Sequence, residues 1–387
     1  MFDPVGENPL VSDVFITHAH YNHSGGFEFP AQTKYSTKES REIYETDRRR
    51  KIGNWQQVRC GRRLKLGQVE VEAHDAGHML GAVQYEVITP EENLVYTGHI
   101  NFTDTLLTSA AEVAPCNMLI IDTSSASHSL MPQPRESVIA DIVKWALECV
   151  RDRRIPAFEV DPIGGAQELV RIFNTWTEMP VIVHPRIARI NRVYENNGVG
   201  LRYADASTDE ASKIFEESGC VVLVPKRTDL TRYGNFRTAY VSGWARIDRY
   251  QDQKIFPLSD QADFGQLLRY VEEARPHSVL TCLGGRASEA FAHLVTKRLG
   301  IAAKPLVTES ARFVAPSAKV DQERITRCQE FLLEVMQTPD FTYEKGDLMA
   351  LGMNRGFKRT EMEETLRRLT ISGVVKYSKI VDGYRLS

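Results

Sequence analysis

The chain has 387 residues, too many for one ordinary domain and enough for two or three of roughly 100–200 residues each. Hydrophobic residues make up 42% and charged residues 26%, and Lys+Arg 48 against Asp+Glu 51 gives a net charge of −3, so any nucleic-acid binding must come from local basic patches rather than bulk charge. No stretch approaches the ~20 consecutive apolar residues that cross a bilayer, and MFDPVGENPL lacks the basic-then-apolar order of a signal peptide. Cys60, Cys116, Cys149, Cys220, Cys282 and Cys328 show no CxxC spacing, which argues against a zinc ribbon or a disulfide framework and for a reducing cytoplasm.

Val11–Thr17, Val69–Ala73, Ala82–Ile88, Leu94–Thr97 and Met118–Asp122 are short apolar or alternating runs bounded by breakers, and they are predicted strands. Polar clusters follow them: HAHYNH, DAGH, TGHIN and DTSS. Reactive residues at the ends of successive strands are what a site on a rigid sheet requires. From about Ser129 the texture becomes alternating α/β. An amphipathic helix is predicted over Glu136–Val150, then a strand, the Gly164-Gly165 turn and another helix. PVIVHP, CVVLVP and AYVSGW are further buried-strand candidates, and ADFGQLLRYVEEARPHSVLTCLGG reads as a helix followed by a strand. Ser317–Gln322 reads as a linker. Helices over Arg324–Gln337, Lys345–Leu351 and Thr360–Ser372, then a hairpin at Asp382-Gly383, form a winged-helix pattern. From Lys319 to Ser387 there are 12 Lys/Arg and 11 Asp/Glu, a net of +1, so this piece suits a protein partner as well as DNA.

Five of the ten histidines lie in three short motifs. His18 and His20 end a strand with their imidazoles on one side, and the next turn brings His23 round. Neutral imidazoles so gathered suit a borderline metal such as zinc. His78 and His99, each beside a glycine, are weaker signals alone.

Taken in order, these motifs resemble the metallo-β-lactamase fold, with its THxHxDH, Gly-His-x-x-Gly and Thr-Gly-Asp segments. IIDTSSA, PIGGAQELVRIF, YVSGWA, SDQADFGQLL and VLTCLGG extend the likeness to β-CASP nucleases, including archaeal mRNA 3′-end processing factors and DNA-ligase-associated exonucleases. The resemblance covers about residues 1–310. It implies a metallo-β-lactamase αββα sandwich (1–127 and 251–316), an inserted β-CASP α/β domain (128–250) and, outside the resemblance, a winged helix (320–387). It also implies a β-hairpin ahead of the segment matching MFDP. The sequence given is then either a shortened reading or leaves a sheet edge exposed.

In that family two zinc ions share a hydroxide that attacks a phosphodiester. Carried over by position, His18, His20 and His78 would hold the first ion. His99 stands where an aspartate would bridge both, Asn22 replaces a ligand Asp, Leu283 replaces a final His, and His23 remains. Gln261 stands where the family has a general-acid His. Asp122 matches the acidic residue at a strand end and would orient a ligand, and Asp3 matches an early Asp. With His23 alone the second position has too few ligands, whereas His18, His20, His78 and His99 form a closed four-His set. One zinc ion at most, or none, is therefore expected. Gln261 cannot protonate a leaving group. The expectation is a cytoplasmic protein of nucleic-acid processing or repair, impaired or inactive as a hydrolase. It would bind DNA or RNA or act as a scaffold, joining a helicase, ligase or active paralogue through the winged helix. The alternative is an active single-metal phosphodiesterase, exonuclease or endonuclease on single strands.

Arg48, Arg49, Arg50 and Lys51, and Arg62 and Arg63, are the densest basic runs, with Tyr44 and Trp55 near them as candidate base-stacking rings. Gly164 and Gly165 could bind phosphate at a helix N-terminus, and Ser242 is a weaker phosphate candidate. Cys282 suits a buried small hydrophobe, and His128 and His184 suit surface or core positions.

Overall fold

The computed structural model describes residues 1–4, 11–30, 33–126, 133–217, 219–228, 230, 235–243, 254–306, 322–336, 343–344, 348–349, 351–352, 355–372, 374–378 and 383–386. They belong to two compact units, Met1–Leu306 and Val307–Ser387. The chain is of the mixed α/β kind that the sequence indicates.

The first unit opens with β1 (Asp13–Phe15), β2 (Thr33–Ser36), α1 (Lys38–Arg48) and β3 (Trp55–Gln57); the three strands form a parallel sheet in the order β1-β2-β3. The side chain of Thr37 caps α1 by accepting from Ser40 N. Next come β4 (Arg63–Leu66), β5 (Val69–Asp75), β6 (Val83–Ile88), β7 (Asn93–Tyr96) and β8 (Met118–Asp122), antiparallel from β4 to β7 and parallel from β7 to β8. In β5 the sequence VEVEAHD alternates, so Val71 and Ala73 point inward. They join Phe15, Tyr35, Val83 and Tyr85 in one apolar cluster contributed by strands of both sheets.

A second α/β segment follows: α2 (Arg135–Arg151), β9 (Ile155–Val160), α3 (Gly165–Trp176), β10 (Val181–Val183), α4 (Pro185–Asn196), β11 (Ala204–Asp205), α5 (Asp209–Glu217), β12 (Val221–Pro225), β13 (Phe236–Val241) and β14 (Lys254–Phe256). All of its strand pairs are parallel, in the order β11-β10-β12-β9-β13-β14, so this sheet runs to Phe256, past residue 250. Helix α2 buries Val138, Ile142, Trp145, Ala146 and Cys149, one stripe at helical spacing. Each large apolar side chain so buried contributes about 1.5–3 kcal/mol over leaving it in water.

The chain then returns through α6 (Phe264–Ala274) to β15 (Ser278–Cys282), which pairs with β8. Helix α7 (Arg286–Leu299) and β16 (Ala302–Pro305) complete a seven-stranded sheet, β16-β15-β8-β7-β6-β5-β4. Asp263 and Gln266 close a capping box at the start of α6.

The second unit contains α8 (Gln322–Val335), β17 (Tyr343–Glu344), α9 (Arg359–Ile371), β18 (Val375–Ser378) and β19 (Gly383–Leu386), its strands in an antiparallel sheet ordered β17-β19-β18. Residues 348–349 and 351–352 are helical. Gln337, most of the predicted linker, the start of the predicted middle helix and Asp382 lie outside the described residues. Among the described residues no helix is long and apolar enough to cross a membrane, and all six cysteines are unpaired thiols.

Two glycines hold the loops that carry His78 and His99. Gly77 has φ +66°, and a Cβ on it would stand 2.5 Å from both Ala111 N and Asn101 O. Gly98 has φ +56°, with the Thr17 side chain 2.7 Å from the same point. Both strain and contact exclude a side chain. Gly77→Ala is expected to cost on the order of 2–4 kcal/mol of stability in urea denaturation. A change within about 0.5 kcal/mol, the usual range for a surface substitution, would contradict this close backbone approach.

Candidate metal centre

The reactive side chains gather at one edge of the two sheets. His18, His20 and His23 follow β1, His78 follows β5, His99 follows β7, and Asp122 is the last residue of β8. Donor atoms of His18, His20, His78 and His99 lie within 4.8 Å of one another, and so do those of His23, His99 and Asp122.

The hydrogen bonds behind the rings fix where their protons sit. Thr17 Oγ1 donates to Asp3 Oδ2 at 2.6 Å, which uses its only proton. At 2.9 Å from His18 Nδ1 the same oxygen can then only accept, so His18 carries its proton on Nδ1 and its lone pair on Nε2. That Nε2 is buried without a hydrogen-bond partner. His20 Nε2 faces the Ile163 carbonyl at 3.1 Å and His78 Nδ1 faces the Asp260 carbonyl at 2.8 Å. A carbonyl only accepts, so His20 keeps its lone pair on Nδ1 and His78 on Nε2. Those two atoms face each other at 3.0 Å. Two lone pairs at that separation repel, and a cation beside them removes the conflict. The donor set therefore fits a divalent ion that takes neutral imidazole, with each ring oriented from behind.

Electrostatics agree. Burial pushes His78 down to about 4, with Asp260 opposing the shift and His20 adding to it. Burial first, then the neighbouring imidazoles, hold His18 and His99 well below the usual histidine range. His23 is the exception. Burial would lower it, but the Asp3 carboxylate, 2.7 Å from Nδ1, and then Asp122 raise it overall. Asp122 is itself raised by burial.

Asp122 does more than the sequence suggests. Its Oδ1 accepts from Ser124 N at 2.7 Å, while Oδ2 has no hydrogen-bond partner and lies 3.5 Å from both His23 Nε2 and His99 Nε2. His23 is thus not alone, contrary to the expectation from sequence. Gln261 Nε2 lies 3.2 Å from His99 Nδ1. Asn22 is exposed, and Leu283, at φ +61°, is 52% exposed.

The anion-binding candidates are less concentrated. Arg48, Arg49, Arg50 and Lys51 are exposed at the end of α1, where Lys51 pairs with Glu45. Arg62 and Arg63 are exposed on or beside the edge strand β4, and Arg63 is engaged by Glu70 and Glu72. Tyr44 is no stacking platform: it is buried and its hydroxyl donates to Glu28. Trp55 is half-buried beneath the Arg41 guanidinium, 4.0 Å from its ring. Tyr21, which the sequence reading passed over, is 76% exposed with Arg48 5.1 Å from its ring. Gly164 N donates to Gln167 Oε1 and Gly165 N to Ile163 O, so both amides already have acceptors. Ser242 is buried beside β14, and His184 caps α4. Cys282 is buried, its thiol donating to Ile121 O and pushed up by burial. His128 and Trp244 lie outside the described residues. A further group, Glu72, His74 and Glu86, is occupied by internal pairs: His74 with Glu86 and Glu112, and Glu72 with Arg63.

Thr17, Ile163 and Asp260 were not legible as site residues. Two of them act through backbone carbonyls, which leave no mark on residue type.

No protein-family model matches the chain. Over 259 residues it is 32% identical to a probable DNA ligase of Opitutus terrae, covering 61% of this chain and 24% of that protein. An RNase J-like protein of Methanocaldococcus jannaschii is 23% identical over 266 residues, covering 58% of this chain and 63% of its own length. The chain thus spans less than two thirds of each of these relatives. A crystal structure of a protein of unknown function from Enterococcus faecalis shares the fold, with a TM-score of 0.52 and 16% identity over 72% of this chain and 76% of that one. These relatives belong to the metallo-β-lactamase/β-CASP superfamily, and the chain is similar to that superfamily over about three fifths of its length.

Thr17→Val removes the acceptor behind His18 and is expected to weaken metal binding about 10- to 100-fold in competition with a chelating dye; unchanged affinity would contradict the orienting role. In the metal-free chain, His78 titrates near 6.5 when unfolded and near 4 when folded. Between those values the unfolded chain binds more protons, so stability falls as pH drops through that window, by about 3 kcal/mol from this residue. His23, raised, opposes this with a contribution present below 6.5 and lost as pH rises through its folded value. Denaturation midpoints measured across pH 4 to 7 in a chelator check the net slope, which is expected to be positive; a flat or negative slope would contradict it.

Proposed function

We propose that the chain is a nucleic-acid-binding protein of DNA or RNA processing or repair whose metal centre grips a phosphate but hydrolyses it poorly. Gln261 carries this reading. A carboxamide lies 3.2 Å from His99 Nδ1, at the position where the family resemblance places a general acid, and it has no proton to give a leaving oxygen at neutral pH. His18, His20 and His78 would hold an ion, zinc for preference, which supplies electrophilic polarisation of a phosphoryl oxygen. The remaining roles belong to the chain itself. Asp3 and Thr17 orient His18, Asp260 and Ile163 orient the other two rings, and exposed Arg48 with Tyr21 offers charge and a stacking face.

A region similar to this chain occupies about a quarter of a protein named as a probable DNA ligase, which favours DNA-end processing as the setting and a ligase as partner. Helices α8 and α9, the helical residues 348–349 and 351–352 and the three-stranded sheet, all among the described residues of the second unit, support a winged-helix reading, with a near-neutral charge suited to docking a ligase, helicase or active paralogue. The single-metal nuclease is the second reading, favoured by the preset lone pairs alone.

The test is binding and cleavage of labelled single-stranded DNA and RNA by the full chain. Expected are salt-sensitive binding without cleavage, and a gain of cleavage in Gln261→His of about 100-fold or more over background. Cleavage by the unaltered chain that His18→Ala/His20→Ala abolishes would overturn the reading in favour of the nuclease.

A further inference from the structure

Helix α2 carries two apolar stripes. The first, Val138, Ile142, Trp145, Ala146 and Cys149, is buried in the core of the first unit. The second, Ile139, Ala140, Val143 and Leu147, lies about a third of a turn round the helix. It meets solvent: Ile139 and Val143 are half-buried, Ala140 is exposed, and Leu147 is 50% exposed. Arg135 of α2 pairs with Glu168 of α3, so the two helices start side by side. Trp176, the last residue of α3, is 61% exposed and shares with the second stripe one groove of about 620 Å3. From Arg135 to Phe256, Leu147 and Trp176 are the exposed large apolar side chains among the described residues, and they fall together. One exposed leucine needs no explanation, whereas a leucine and an indole lining one groove mark a contact surface.

We propose that this groove receives the same face of a second copy of the chain, in a two-fold dimer whose α2 helices pack antiparallel. The charge pattern selects that occupant. Glu136 lies on the groove rim in the first turn of α2, and Arg151 lies on the rim in the last turn. A two-fold contact sets each residue against its counterpart on the other copy. With the axis between Val143 and Lys144, Glu136 comes level with Arg151 of the second copy, and the pair forms twice. In the same register Ala140 comes level with Leu147 of the second copy, small against large. Glu136, Ala140, Val143 and Leu147 alternate spacings of four and three, the seam of two helices packed along their length.

The rim charges are available for this. Glu136 is exposed and takes part in no ion pair among the described residues. Arg151, its side chain 74% exposed, meets only the adjacent Asp152 at 3.3 Å, a surface pair of little weight. Lys144 falls nearest the two-fold, and Glu148, one turn on along the same helix, offsets its charge. Antiparallel helices also bring opposite dipole ends together. A foreign helix would need its own matching charges, whereas this face already matches itself. The inference rests on α2 and α3 alone and requires neither the metal centre nor the nucleic-acid reading.

The test is the mass of the full chain in solution, by sedimentation and light scattering over about 1–100 μM, the range suited to an interface at the small end of stable ones. A dimer that dissociates on dilution is expected. Glu136→Arg and Arg151→Glu alone each set like charges against each other twice, and each is expected to weaken the dimer about 10-fold or more. The double variant Glu136→Arg/Arg151→Glu exchanges the two signs and is expected to recover most of the lost affinity. Leu147→Glu is expected to leave a monomer. If that variant fails to fold, the rim exchange still decides, because both of its positions are exposed. A monomer at every concentration, a dimer that neither single reversal weakens, or a double variant no tighter than the singles would overturn the proposal.

Discussion

The Asp3 carboxylate accepts from Thr17 N at 2.8 Å, Thr17 Oγ1 at 2.6 Å, His23 Nδ1 at 2.7 Å and Tyr96 Oη at 3.2 Å, and almost none of it meets water. That one anion decides the proton positions of two rings: His23 directly and His18 through Thr17. It is held against the end of β1 by its neighbour Phe2, whose ring packs on Phe15, Tyr85 and Tyr96. A buried anion with four donors is stable, whereas removing its donors piecemeal would leave a charge costing about 3–5 kcal/mol. The centre is therefore built outward from a carboxylate that binds no metal itself.

Exchanging an aspartate for His99 changes the electrostatics more than the geometry. A bridging carboxylate would put negative charge between two cations, whereas imidazole brings none and offers one lone pair on each nitrogen. The compensating anions stand to either side, Asp122 beside His23 and His99 and Asp260 beside His78. Burial then keeps His18, His78 and His99 neutral at physiological pH, the state in which imidazole binds metal. Gln261 fits the same logic: 3.2 Å from His99 Nδ1 it can hold that ring in place, a role open to a group that cannot supply a proton.

Much of this was legible in the sequence. Period-2 alternation located β5 and β6, and the near-continuous apolar run MLIID located β8 to the residue. His18, His20, His78 and His99 converge as the motif order indicates, because each sits just past a strand end, of β1 in one sheet and of β5 and β7 in the other. What the sequence could not show is which atoms meet. Asp122 was placed behind the ligands, yet its free oxygen points between two rings, a matter of χ angles and of Ser124 N taking the other oxygen. Tyr44 looked available beside a basic run, but α1 turns it inward toward Glu28. The carbonyls of Ile163 and Asp260 come from segments 143 and 182 residues distant from the rings they orient, and backbone acceptors carry no side-chain signature.

The central claim is that the rings are oriented before any ion arrives, with lone pairs on His18 Nε2, His20 Nδ1 and His78 Nε2. Nitrogen-15 NMR of the metal-free chain with labelled histidine reads each tautomer directly. The account requires the proton on Nδ1 of His18 and His78 and on Nε2 of His20, with the His18 and His78 rings neutral at pH 7. A proton on Nε2 of His18, or rings that exchange freely between tautomers, would contradict it.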